Sequence, residues 1–408
     1  MNVIEIATRA KAATLTLQSL PEAQRLMALE AIADALLREA PGILAENQKD
    51  LRAAAEQKLG AALVDRLTLT ERAIADLARM CRAVGAQEQV VGTIVEEYPR
   101  PNGLLIRKQR IPLGVIGMIF ESRPNVVVDG AALAIKSGNA IILKGGKEAA
   151  FSNRKLYAVI AEAIARILPA GAVSLVETRE DVSELLSLHD YIDLVVPRGG
   201  SALIEFVRRH ATMPVVAHDK GLCHVYVHAD ADRATVTPIL LNAKTQRPGV
   251  CNAMETLLLH RDYPETRETL AALLAAGVEL RGCPAAVALD PRIKPATPAD
   301  YDTEYLAKIL SVKLVASVAE AIDHVRRHGS RHTEAILARE PAAIEEFVNG
   351  VDAAAVVVNA STRFNDGGEL GLGAELGIST SKLHAYGPMG AKEMTTTRFL
   401  VLGNGQTR

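Results

Sequence analysis

The residue with the strongest claim to chemistry is Cys251, in the stretch Asn242-Ala243-Lys244-Thr245-Gln246-Arg247-Pro248-Gly249-Val250-Cys251-Asn252. The thiolate is the nucleophilic form of cysteine, and neighbouring cations such as Lys244 and Arg247 favour it near neutral pH. Pro248 and Gly249 set the thiol on a sharp bend just before a strand. Cys81, Cys223 and Cys283 lack such surroundings: Cys81 falls in an amphipathic helical pattern and Cys223 opens a strand. Four cysteines in 408 residues, with no CxxC spacing and no export signal in Met1-Asn2-Val3-Ile4-Glu5, read as reduced thiols.

Two glycine turns follow strand-like runs: Ile141-Ile142-Leu143-Lys144-Gly145-Gly146-Lys147-Glu148 and Leu194-Val195-Val196-Pro197-Arg198-Gly199-Gly200-Ser201. A turn of this kind offers backbone N–H groups and a helix start to phosphate, and two of them at the carboxyl ends of one sheet make a ligand crevice. Neither fits GxGxxG or GxxxxGK[ST], so the usual nucleotide fingerprints are absent. No HExxH occurs, and His324 and His328 are the only histidines at i, i+4 on one helix, so no metal site is expected.

These residues need a scaffold, and composition bounds it. The 408 residues allow two or three domains, and 46 Lys and Arg against 48 Asp and Glu leave a net charge of -2, which disfavours a nucleic-acid partner. No charge-free run is long enough for a membrane span, so the expectation is a soluble protein that stays in the cytoplasm. The first 90 residues repeat apolar positions at helical spacing, as in Leu26, Leu29, Ile32, Leu36 and Leu37. Pro21-Glu22 reads as the first turn of one helix, and Thr68-Leu69-Thr70-Glu71 as the capping box of another that ends near Gly85.

Residues 92–111 read as a hairpin around Pro101-Asn102-Gly103, too polar to build its own core. Beyond Pro112, strands at Leu113–Ile119, Ala140–Leu143, Val173–Val176, Asp193–Val196 and Pro214–Ala217 alternate with helices, the clearest at Ala149–Ile167. A second series follows at Thr256–Leu259, Val278–Leu280, Val312–Ala316, Ala335–Leu337 and Ala353–Val358, with a helix at Ser317–His328. Alternation at this spacing predicts two α/β lobes with parallel sheets. The tail beyond Gly367 is glycine-rich, then β-prone from Thr395 to Leu402.

The order Ile111-Pro112-Leu113-Gly114-Val115-Ile116-Gly117, Leu143-Lys144, Gly199-Gly200-Ser201, Cys251 and Glu304-Tyr305-Leu306 resembles the aldehyde dehydrogenase superfamily across nearly the whole chain. Four blocks are similar to one family within it, the gamma-glutamyl phosphate reductases: Ile119–Val126, Gln246–Ala253, Gly329–Ile336 and Phe364–Glu375. That resemblance implies an aldehyde-dehydrogenase-like α/β fold: an NADP-binding domain over 1–91 and 112–220, a catalytic domain over 221–366, and an oligomerisation ribbon and tail over 92–111 and 367–408. It implies NADPH-dependent reduction of L-glutamyl 5-phosphate to glutamate 5-semialdehyde through a Cys251 thioester, the second step of proline biosynthesis. The partners implied are that small molecule and further copies of the chain; an association with glutamate 5-kinase, the source of the substrate, stays open.

Residue by residue, the resemblance puts Lys144, Gly145 and Lys147 beside the adenosine ribose and 2'-phosphate. Gly199, Gly200 and Ser201 lie under the pyrophosphate, and Glu304 on the nicotinamide ribose. Ser122, Arg123, Asn125, Arg247 and Asn252 fall to the substrate. Ser122 stands where hydrolytic relatives carry an oxyanion-hole asparagine, which leaves the Cys251 N–H as the safer donor. Those relatives also carry a water-activating glutamate where this chain reads Ala217-His218-Asp219-Lys220-Gly221-Leu222. A reductase acting on acyl-CoA is the nearest alternative, and a turnover-free scaffold would be expected to lack Cys251.

Overall fold

The computed structural model describes residues 2–218 and 220–408. It divides into two compact units, residues 1–217 with 371–377 and 383–408, and residues 218–370 with 378–382. Residues 92–111 and most of the residues beyond 370 belong to the first unit.

The first unit opens with five helices: α1 (Val3–Leu17), α2 (Glu22–Arg38), α3 (Ala40–Glu56), α4 (Ala61–Leu67) and α5 (Glu71–Ala86). Two helix starts differ from expectation by a residue or two. Pro21 is the N-cap of α2 and not its first helical residue, and α5 is capped by Thr70, whose hydroxyl accepts the Ala73 N–H at 3.1 Å. Thr68 instead donates its hydroxyl to the Val64 carbonyl, closing α4.

The sheet of this unit contains β3 (Val115–Phe120), β4 (Ala140–Lys144), β5 (Val173–Leu175) and β6 (Leu194–Arg198), in the spatial order β5-β4-β3-β6, all parallel. All six residues of β3 are buried. Burial of each Val, Ile, Met or Phe there contributes roughly 1.5–3 kcal/mol, which is why so short an apolar run settles as a central strand. Helices α6 (Val126–Ser137), α7 (Ala150–Ile164) and α9 (Ser201–His210) pack on the sheet, and α8 (Arg179–Leu185) packs on α1. The strand expected at Pro214–Ala217 reduces to one bridge, Val195 with Val215.

The hairpin forms as expected, β1 (Ile94–Pro99) against β2 (Leu105–Pro112), and the tail strand Thr395–Leu402 pairs antiparallel along the whole of β2. The polar ribbon thereby becomes a three-stranded sheet.

The second unit holds a seven-stranded parallel sheet: β7 (Cys223–Val227), β8 (Met254–His260), β9 (Glu279–Gly282), β10 (Lys294–Pro295), β11 (Ile309–Val315), β12 (Thr333–Leu337) and β13 (Ala355–Val358). Their order, β10-β9-β11-β8-β7-β12-β13, places β7 and β8 side by side at the centre. The crossover between them is α10 (Arg233–Thr245), and Cys251 lies in the loop that leads from α10 into β8.

Candidate active site

Each unit carries its own set of candidate residues. In the first, the register Ile119 with Lys144 and Phe120 with Arg198 brings the Lys144-Gly145-Gly146 and Gly199-Gly200-Ser201 turns to the carboxyl edge of one sheet, on either side of β3. A Cβ on Gly145 would run into the buried Asn153 side chain and the Phe120 ring, whereas one on Gly199 would meet the movable ends of Glu121 and Leu203. The Asn153 Oδ1 beneath Gly145 is buried without a hydrogen-bond partner. Both helix starts meet a carboxylate of the same unit. The first turn of α7 is filled by Asp50, which accepts the Ser152 N–H at 2.8 Å and its hydroxyl at 2.6 Å. At α9 the Gly200 N–H donates to Glu121 at 2.8 Å.

Ser122 is buried with φ +47°, a left-handed conformation that costs a residue with a Cβ on the order of 1 kcal/mol or more. Glu148 holds it there: one oxygen accepts both the Ser122 N–H at 2.6 Å and its hydroxyl at 2.7 Å. Asn125 caps α6 by position and donates its side-chain amide to Asp129 at 2.8 Å. Burial pushes the Asp129 carboxyl up to about 6, against the pull of Arg198, Asn125 and Arg123. Lys144 is half-buried, and Lys147 is exposed at the start of a 3-10 turn.

In the second unit the loop bearing Cys251 is strapped at several points. The Cys251 carbonyl accepts the Cys223 thiol at 3.1 Å, the Asn252 side-chain amide donates to the Asn365 carbonyl at 2.9 Å, and the Thr362 hydroxyl donates to the Asn252 carbonyl at 2.7 Å. Burial drives the Cys223 thiol well above its ordinary value and pushes Cys81 up to about 12. Both therefore stay protonated, whereas Cys251 is half-buried and not disulfide-bonded.

The cation expected from Lys244 is not available to Cys251. Lys244 is fully buried and donates to Glu255 at 2.7 Å, a carboxylate 1% exposed. The sequence could not reveal this, because Glu255 lies beyond the cysteine on the next strand. Arg363 was missed altogether. Its guanidinium is lowered chiefly by burial and also by Arg247, and raised by Asp366 and Cys251, so it shares the electrostatic surroundings of Cys251 with Arg247. The only sequence hint was its place immediately before the Phe364–Glu375 block.

Gly221 lies against Cys251 so closely that a Cβ would overlap the cysteine backbone. Its N–H donates to Glu304 at 3.0 Å. Gly221→Ala is therefore expected to displace the Cys251 loop and lower its iodoacetamide reaction rate at least tenfold, read by mass spectrometry. A wild-type rate would show that the loop tolerates a side chain there.

Behind the loop, His332 meets the edge of His218 at a ring separation of 5.9 Å and is held neutral by burial, which lowers it to about 3. Asp219 lies outside the described residues. Among the described residues no group of three or more His, Cys, Asp and Glu could hold a metal ion, and no helix is long and apolar enough to cross a membrane.

Two parallel α/β sheets, paired glycine turns in one and a strapped cysteine loop in the other, define a class that comparison makes explicit: residues 1–281 match the aldehyde dehydrogenase family, and the chain belongs to it. Within that class it falls among the gamma-glutamyl phosphate reductases. It is 50% identical to the enzyme of that name from Desulforapulum autotrophicum, covering 99% of this chain and 98% of the relative. The crystal structure of gamma-glutamyl phosphate reductase from Thermotoga maritima superposes with a TM-score of 0.96 at 41% identity over 100% of both chains. An engineered glycolyl-CoA reductase with bound NADP+ shares the fold at a TM-score of 0.72 and 17% identity, over 98% of this chain and 96% of its own.

Proposed function

We propose that Cys251 is the nucleophile with which this chain reduces L-glutamyl 5-phosphate to L-glutamate 5-semialdehyde, the proline-biosynthetic reaction of its family. The observation that carries the assignment is the strapped loop, which fixes the backbone of a half-buried thiol between Gly221 and Cys223. The Cys251 thiolate adds to the acyl carbon, the carbon–oxygen bond to phosphate breaks, and phosphate leaves with the electron pair. Arg247 and Arg363 favour the thiolate and attract the departing anion. When bound, NADPH supplies the hydride that turns the thioester into the aldehyde and frees the thiolate. Ser122, Arg123, Asn125 and Asn252 complete the substrate set.

The glycine turns suit a nicotinamide dinucleotide, because both lie at the carboxyl edge of one parallel sheet, where backbone N–H groups and a helix start can face a phosphate. Lys144, Gly145 and Lys147 hold the adenosine ribose and its 2'-phosphate, Gly199, Gly200 and Ser201 the pyrophosphate, and Glu304 the other ribose. Two lysines beside one turn favour the cofactor with the extra phosphate. Changing Lys144 and Lys147 together to Ala is expected to raise the KM for NADPH about tenfold or more and that for NADH little; an equal rise in both would refute the lysines as 2'-phosphate readers.

The three-stranded ribbon exposes Phe399 and Val401, 61% and 58% accessible, and is the surface through which copies of the chain associate. The cytoplasm is its place of work. Because water destroys an acyl phosphate, association with glutamate 5-kinase belongs to the same proposal. The test of the reaction is the reverse assay: glutamate semialdehyde, NADP and inorganic phosphate should together give NADPH, and omission of any one should stop it.

A further inference from the structure

Glu304 comes from a turn that the second unit holds in an unfavourable shape. Leu306 has φ +52°, left-handed for a residue with a branched side chain. The Leu306 N–H donates to Glu255 Oε1 at 3.2 Å, while Glu255 Oε2 accepts the Lys244 ammonium at 2.7 Å. Between them Tyr305 donates its hydroxyl to Asp300 at 2.8 Å, and its ring faces Lys244 at 6.0 Å and Arg281 at 5.2 Å. One residue before it, Glu304 accepts the Gly221 N–H at 3.0 Å. The turn is thus fixed from α10 and β8, through a buried ion pair that touches neither Gly221 nor Cys251 in the hydrogen bonds described.

An ion pair in this position is costly to keep. Burial raises the Glu255 carboxyl to about 7 and lowers Lys244, each group being sustained by the other. Two apolar residues of similar size would often serve stability as well or better. What apolar residues cannot do is accept the Leu306 N–H.

We propose that Lys244 and Glu255 are positioning residues: the pair holds the Glu304-Tyr305-Leu306 turn so that the Glu304 carboxylate meets the cofactor ribose. Lys244 orients and charges Glu255, Glu255 takes the Leu306 N–H, and the left-handed residue at 306 turns Glu304 back toward Gly221. This rests on the reading of Glu304 as a cofactor contact, and it adds two residues to which that reading gives no part.

The test is NADPH affinity, measured by the emission of the bound cofactor itself, since the chain has no Trp. Glu255→Ala should weaken NADPH about tenfold, while the iodoacetamide rate at Cys251 stays within about twofold of wild type. If the uncompensated Lys244 prevents folding, the double variant Lys244→Met/Glu255→Leu removes both charges and should fold with the same tenfold loss. Glu304→Ala should also weaken NADPH, and adding Lys244→Met/Glu255→Leu to it should cost nothing further, because both act through one contact. Wild-type affinity in the pair variants, or losses that multiply with that of Glu304→Ala, would overturn the proposal while leaving the cofactor role of Glu304 intact. Wild-type affinity in Glu304→Ala alone would remove that role and the proposal with it.

Discussion

Cys251→Ala is expected to reduce turnover to below about one per cent of wild type in either direction, a loss of at least roughly 3 kcal/mol in transition-state stabilisation. The reason is that neither of the two buried thiols, Cys223 and Cys81, can take over. Cys223 lies beneath the same loop, but it is fully buried, its thiol is committed to the Cys251 carbonyl, and burial keeps it protonated. Cys81 is buried in the first unit with its thiol pushed up to about 12. NADPH binding should survive in the variant, because the proposed cofactor residues Lys144, Gly199 and Glu304 keep their settings. Stopped-flow mixing of acyl phosphate with enzyme should show phosphate release before hydride transfer in wild type and none in the variant. Retention of more than about one per cent activity would move the nucleophile elsewhere.

The second large effect concerns how the thioester is resolved. Running backward, the enzyme forms the thioester by oxidising glutamate semialdehyde, and the acyl group must then pass to some acceptor. Water would need a positioned base. Two carboxylates of this unit are engaged: Glu255 accepts from Lys244 and Leu306, and Glu304 from Gly221. His332 is neutral but buried, with its ring edge against His218. Lys220 is exposed, and with Arg247 and Arg363 it suits an incoming oxyanion better than a water molecule. NADPH formation from glutamate semialdehyde is thus expected to fall at least a hundredfold when inorganic phosphate is omitted. With phosphate present the product should be an acyl phosphate that hydroxylamine traps as the hydroxamate. Undiminished NADPH formation without phosphate, accompanied by free glutamate, would place the chain with the hydrolytic enzymes.

Much of this was legible in the amino-acid order because it depends on neighbours in sequence. Val115–Phe120 and Ala140–Lys144 are short, apolar and bounded by turn residues, and they form adjacent strands that bring the Gly145 and Gly199 turns to one edge. The Cys251 bend announced itself through Pro248 and Gly249. What remained hidden depends on partners distant along the chain. The charge on Lys244 suggested a cation beside the thiol, yet the side chain points into the core because Glu255 on the next strand neutralises it. Arg363 reaches the same surroundings from more than a hundred residues later, and local periodicity carries no trace of such an approach. The run Pro214–Ala217 has strand composition but only one bridge to Val195, since composition does not record whether a neighbour is free to pair.

The pairing of β2 with the strand Thr395–Leu402 also has a consequence for how the protein is made. The partner of β2 leaves the ribosome about 280 residues after β2 itself, a delay on the order of half a minute at ordinary elongation rates. During that interval the hairpin has one long edge unpaired, with the backbone N–H and C=O groups of alternate residues between 105 and 111 open to any strand that reaches them. The residues of the second sheet are synthesised in the same interval, so the seven-stranded body can fold while the ribbon is still waiting. A nascent chain stalled before residue 395 should accordingly be more prone to associate through this edge than the released protein. The three positive charges Arg107, Lys108 and Arg110 along β2 then guard the edge during synthesis, by mutual repulsion between unfinished copies.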